Sequence, residues 1–180
     1  MQAIQKYIHS FLKLGYYKFK YRKKLNSGWV QSFEKIRIDL SKSGKMSIGS
    51  YNQNRGNLYL GIPQGELIIG NHCFFNINSS ITCMHKIQIG DYCKFGNNLV
   101  IVDHDHNYKA KEPEFISDEI VIGNHVWVGA NVVILKGTVI GDGCVIAAGS
   151  VVKGSIPAYT LFYQRKVQNM QQRIDESITV

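Results

Sequence analysis

Cut every six residues, positions 122–152 read IGNHVW, VGANVV, ILKGTV, IGDGCV, IAAGSV and then V. Each step opens on a large apolar residue: Ile122, Val128, Ile134, Ile140, Ile146 and Val152. The same step runs upstream through Ile69, Phe75 and Ile81, and again through Ile89, Phe95 and Ile101. Glycine often follows, as at Gly70, Gly90, Gly96, Gly123, Gly129 and Gly141. The fifth position is small: Cys73, Ser79, Cys93, Val126, Val132, Cys144 and Ser150. A period of six is neither the 3.6 of a helix nor the 2 of an ordinary strand. It predicts a triangular solenoid in which each step is a short strand plus a corner and three steps close a coil. The alternative, alternating strands of a β-sandwich, does not keep a six-residue register across its turns.

Outward from this stretch the pattern loosens. Ile36, Ile38, Ile48, Leu58, Leu60 and Ile62 are candidate inward residues, with Gly49 and Gly61 as corners, but the register over 28–68 predicts irregular early coils. A two-residue slip occurs at Ile87-Gln88. Residues 103–121, DHDHNYKAKEPEFISDEIV, break the period; they are polar and contain Pro113, which excludes a central strand, so they predict a loop extruded from the stack. The chain divides into a basic, aromatic helical segment (1–27, with a break near Gly15), a β-helix domain (28–163) and a C-terminal tail forming a short helix (164–180).

With 180 residues the chain suits one domain with a real core. No apolar run is long enough for a transmembrane helix, and the first residues lack a secretory-signal pattern. Cys73, Cys83, Cys93 and Cys144 form no CxxC pair, and three of them occupy the small inward position. They read as buried free thiols of a reducing cytoplasm rather than a zinc site. The net charge of +8 is concentrated in residues 1–47, where eleven lysines and arginines face only Glu34 and Asp39. This segment is interleaved with Tyr7, Phe11, Tyr16, Tyr17, Phe19 and Tyr21. Three readings compete: a helix capping the solenoid end with a solvated basic face, peripheral contact with an anionic membrane surface, and nucleic-acid binding. Nothing else in the chain supports the last.

The extruded loop opens on Asp103-His104-Asp105-His106. A loop held by a rigid scaffold favours chemistry, and imidazole takes a proton near neutral pH. A neighbouring carboxylate fixes its tautomer. Two other readings remain at this point: a solvated loop without a role, and a metal site built from His104 and His106 with His125, His85 or His72.

The stretch from Leu67 to Ala158 resembles the hexapeptide-repeat acyltransferases, in particular the galactoside, maltose and surface-polysaccharide O-acetyltransferases. The marks are the hexapeptides, the VDHDH segment, the restart VIGNHVWVGANVVIL and the ending GDGCVIAAGSVVKGSIPAYT. The resemblance implies an all-β solenoid of the left-handed parallel β-helix kind, a homotrimer, and acetyl-CoA bound between adjacent subunits, with no metal. It further implies that His104 is the catalytic base, with Asp103 beside it, and that the Ala130 N–H faces the oxyanion. By the same resemblance Trp127, Gly129, Ala130, Ala147 and Ala148 line the cofactor. Lys153, Arg165 and Lys166 are cationic candidates for its phosphates. Asn76 matches an acceptor-binding position, and His85, His106 and Tyr108, with Tyr92, are further acceptor candidates.

Two departures stand out. Met84 replaces a frequent carboxylate, which argues against a simple galactoside or maltose acceptor, and Leu161–Lys166 replaces a Gly-Asn-Pro turn. The implied activity is acetyl transfer from acetyl-CoA to a sugar hydroxyl of a bacterial surface polysaccharide (O-antigen, capsule or exopolysaccharide) or its precursor. It would take place in the cytoplasm, at the inner face of the membrane if the acceptor is lipid-linked. The alternatives are an N-acetyltransferase acting on a nucleotide-linked amino sugar, a metal enzyme resembling the gamma-class carbonic anhydrases, and a non-catalytic assembly solenoid.

Overall fold

The computed structural model describes residues 2–28, 30–41, 43–112 and 114–164. Inward side chains of equal rank lie on top of one another from coil to coil. On the first face Ile48, Ile69, Ile89, Ile122, Ile140 and Ile156 form one column through consecutive parallel pairings. On the second, Phe75, Phe95, Val128 and Ile146 do the same, with the two phenylalanine rings stacked at 4.8 Å. On the third, Ile38, Leu60, Ile81, Ile101, Ile134 and Val152 align. The six-residue period is therefore the distance from one face to the next. Among the described residues the three parallel sheets hold seven, seven and six strands, and the chain winds as a left-handed parallel β-helix. This is the sense opposite to ordinary right-handed crossovers.

The prism is narrow, so the corner position must be small and satisfied. Cys73, Cys93 and Cys144 are buried free thiols whose Sγ donates to the Gly90, Gly123 and Pro157 carbonyls of the next coil. Cys83 does the same toward Glu66, and burial pushes its thiol up, away from thiolate.

Helix α1 (Gln2–Tyr21) runs unbroken through Gly15, contrary to the expected break. Its inner face explains why. Inward carbonyls accept N–H groups of the preceding coil, as Ile48 does from Gly28 and Ile69 from Gly49, and the inward carbonyls of the first coil have no coil beneath them. The helix supplies donors: Ser10 Oγ to Phe33, Tyr17 Oη to Ile36 and Tyr21 Oη to Ile38. Lys18 Nζ donates to Ser27, and Lys24, in the short 3-10 turn Arg22–Lys24, reaches Ser41. With Leu14 and Tyr17 buried on the core, this docking outweighs the ~1 kcal/mol cost of a mid-helix glycine.

The early coils are regular, not irregular. The first strand, Leu25–Ser27, precedes the expected boundary, and Lys35–Leu40 pairs with Asn57–Ile62 over its full length. Gly49 is a corner, but Gly61 lies inside a strand. The period was hidden because Gln31, Asn52 and Asn54 occupy buried inward positions. Their amides bond the backbone instead of packing: Asn52 Nδ2 to the Gly70 carbonyl, and Asn54 Nδ2 to those of Lys35 and Gly56. The extruded segment is likewise more ordered than a loop. It folds as an antiparallel hairpin, His104–His106 against Phe115–Ser117, and the prism resumes at Ile120, which pairs with Ile87. The expected tail helix falls on residues 165–180, outside the described residues, apart from Gln164, whose amide bonds both backbone groups of Val151.

Candidate active site

The hairpin leaves the prism at the corner between the third and first faces, and Asp103 is its root. Asp103 is fully buried. Its Oδ1 accepts the Met84 N–H and its Oδ2 the His85 N–H, each at 2.8 Å, from the same corner one coil earlier. Its carbonyl accepts the Asp118 N–H as the hairpin returns. A carboxylate held by two backbone donors is fixed in position. His104 Nδ1 lies 3.0 Å from Asp103 Oδ1. With a proton on Nδ1 donated to that oxygen, Nε2 carries the lone pair.

Cross-strand partners in the hairpin share a face, so His104, His106 and Phe115 form one cluster. The Phe115 ring meets His104 edge-on at 5.4 Å and lies 4.5 Å from His106. On the opposite face, Lys136 of the following coil pairs with Asp105 at 3.2 Å and donates to the Ile116 carbonyl. At the return, Lys86 and Gln88 bond Glu119, and the Lys86 ammonium holds that carboxyl below its usual range. Phe115, Lys136 and Glu119 escaped the sequence reading. The one available signal was the apolar pair Phe115-Ile116 in an otherwise polar stretch.

The structure gathers some of the expected residues and separates others. His106 joins His104 through Phe115; the backbone N–H of His85 is tied to the same carboxylate, and Tyr108, whose N–H bonds the His106 carbonyl, is 87% exposed beyond the paired strands of the hairpin. Gly129, Ala130, Ala147 and Ala148 lie at a different corner, between the second and third faces, at the opposite end of the third face from His104. Asn76 sits at that same corner two coils earlier, where its Oδ1 accepts the Ile77 N–H. One chain therefore does not bring Asn76 or Ala130 to His104. Trp127 points outward from the second face, 59% exposed, beside a cleft also lined by His72, Tyr92, Lys94 and His125, so it is not a core residue. Lys153 follows the last strand of the third face, on the His104 side. Arg165 and Lys166 lie outside the described residues.

The Ala130 corner offers open donors. The Gly129 and Asn131 N–H groups are taken by the Ile146 and Asn97 carbonyls, whereas the Ala130 N–H between them meets no acceptor among the described residues. The equivalent N–H groups of Asn97 and Ala148 share this property. The corner is also closely stacked: a Cβ at Gly129 would come within 2.6 Å of the Ala148 nitrogen.

Comparison with known proteins bears on this geometry. The family description "Bacterial transferase hexapeptide (six repeats)" matches residues 119–154, and "Hexapeptide repeat of succinyl-transferase" matches residues 66–102. WbbJ of Escherichia coli (strain K12), named as a lipopolysaccharide biosynthesis O-acetyl transferase, is 33% identical over 110 residues, which is 54% of this chain and 56% of that protein. The galactoside O-acetyltransferase of the same organism is 40% identical over 92 residues, or 49% and 45% of the two chains. The chain thus spans about half the length of the curated relatives it matches. Among solved structures, the hexapeptide-repeat-containing acetyltransferase VCA0836 of Vibrio cholerae, complexed with acetyl coenzyme A, superposes with a TM-score of 0.53. It is 29% identical, covering 67% of this chain and 62% of that one. AntD, an N-acyltransferase from Bacillus cereus, gives 0.67 at 17% identity over 89% and 90% of the two chains, a likeness of fold. The repeats, the stacked columns they produce and these matches agree: the chain carries bacterial transferase hexapeptide repeats and is similar to hexapeptide-repeat acetyltransferases over about half its length.

Proposed function

We propose that the protein transfers an acetyl group from acetyl-CoA to a hydroxyl of a sugar in a bacterial surface polysaccharide or its precursor, in the cytoplasm. The observation that carries this reading is His104, clamped through Nδ1 by a buried, doubly anchored Asp103 in a chain of this family. The Nε2 lone pair takes the proton of the acceptor hydroxyl as its oxygen attacks the thioester carbonyl, and the imidazolium then returns it to the leaving thiolate. Both substrates meet in one site, so no acyl-enzyme is required. The open Ala130 N–H is suited to the tetrahedral oxyanion, and the small side chains of Gly129, Ala130, Ala147 and Ala148 to the close approach of the pantetheine arm.

The separation of His104 from Ala130 in one chain supports a shared site: the histidine edge of one copy faces the alanine edge of a neighbour. A cyclic homotrimer closes such head-to-tail contacts. Lys153, Arg165 and Lys166 are proposed to meet the phosphates. His85, His106 and Tyr108 are proposed to contact the acceptor from the histidine edge, and Asn76 from the alanine edge. The deciding experiment is transfer from labelled acetyl-CoA to a panel of glycan precursors, with matched hydroxy and amino sugars, read by mass. Acetylation of the hydroxy sugars supports the proposal; acetylation of the amino sugars alone makes the protein an N-acetyltransferase, and activity lost on chelation makes it a metal enzyme.

A further inference from the structure

The helix closing the first coil has two faces of opposite character. Ser10, Leu14, Tyr17 and Tyr21 face the prism. Facing away are Ile4, Ile8, Phe11, Leu12 and Phe19, between 54% and 78% exposed. At the helical repeat these five fall within an arc of about 100°. Lys13 and Lys20 lie along one side of the arc, and Arg22, Lys23 and Lys24 follow directly after the helix. The helix contains neither Asp nor Glu. An exposed apolar stripe of this extent costs free energy in water and marks a contact surface.

We infer that this face seats the protein on an anionic lipid bilayer. Ile4, Ile8, Phe11, Leu12 and Phe19 enter the boundary between headgroups and acyl chains, and the flanking lysines and arginine meet the lipid phosphates. Charge decides against a second copy as occupant: two such helices face to face would oppose their basic flanks with no carboxylate on either helix to pair with them. No described helix is long and apolar enough to cross a membrane, and the inner face of this one is committed to the prism, so it lies on the surface. The bilayer is then beneath the first coil. The His104 hairpin leaves the fourth strand of the third face, so the imidazole stands roughly 25 Å above the lipid, from coil spacing and helix thickness. If the proposed transfer is correct, a lipid-borne acceptor would present its sugar well beyond the headgroups; the docking itself does not depend on that reaction.

The test is flotation of the full chain with vesicles of phosphatidylcholine alone and of phosphatidylcholine mixed with phosphatidylglycerol, at low and high salt. Binding to the mixed vesicles is expected to be at least about tenfold stronger than to the neutral ones and to weaken with salt. The double variant Phe11→Ser, Phe19→Ser is expected to lose at least about tenfold in binding with an unchanged melting temperature. Lys20→Glu with Lys23→Glu, on exposed positions, is expected to abolish the preference for the anionic lipid. Equal binding to both vesicles, no binding, or Lys variants that retain the preference would overturn the inference. Self-association removed by the Phe variants, in a protein that ignores vesicles, would assign the face to a second copy.

Discussion

The two ends of the third face are built on different principles. At one end a corner is opened: Val102 leads into Asp103, the chain departs as a hairpin, and the scaffold spends a buried carboxylate on holding one imidazole. At the other end the corner is as tight as the coil allows, repeating Gly129-Ala130-Asn131 and Ala147-Ala148-Gly149 with small side chains and open N–H groups. The first end holds an imidazole against a carboxylate, and the second presents small side chains and open backbone donors. Neither is a complete acyl-transfer site, and the width of the prism keeps them apart. A stiff solenoid cannot fold its own edges together, which is why the proposed reaction calls on a second copy.

The largest expected effect is at the histidine end. His104→Ala should lower kcat by about a hundredfold or more while coenzyme A binding, measured by calorimetry, persists. Near-normal turnover would remove His104 from the mechanism. Asp103→Asn should lower both activity and the melting temperature. An amide cannot accept from both the Met84 and His85 N–H groups, so one buried donor faces another, a loss of about 1–3 kcal/mol on a denaturation curve.

The pairing of the two ends is tested by mixing. His104→Ala and Ala148→Trp, the latter crowding the small-residue corner, should each be inactive alone. Co-refolded in equal amounts, they should recover roughly a quarter of the wild-type rate, because each shared site draws its two edges independently. No recovery would place the whole site within one chain.

The smallest effect tests the tight corner itself. Asn78, Asn98 and Asn131 have φ of +60°, +57° and +56°, and the Asn98 amide donates to Asn131 at 2.9 Å. Asn98→Ala should cost about 1–2 kcal/mol in thermal or chemical unfolding, since a Cβ is disfavoured there, whereas Asn98→Gly should cost less. Equal losses for the two would mean that the side-chain ladder, not the backbone, holds the corner.

How much was legible follows from the kind of residue involved. The coils from Ile69 onward were readable because each inward position is apolar and each corner small. The coils before Ile69 were not, because Gln31, Asn52 and Asn54 fill inward positions with amides whose partners lie about twenty residues away. His104 was legible as a histidine at the start of a break. The Lys136–Asp105 contact and the Phe115 ring against His104 were not, because the return strand of the hairpin has no period to mark it.

The sequence by itself determined the solenoid, its period, the site of the interruption and the residues capable of proton transfer, since each of these is a local choice repeated or broken along the chain. Only the tertiary structure decided that His104 and Ala130 stand at opposite edges of one face, and that the N-terminal helix turns one apolar stripe outward. Both depend on which corner a residue occupies and what lies against it, and a repeat of six states the spacing of corners without saying what meets there.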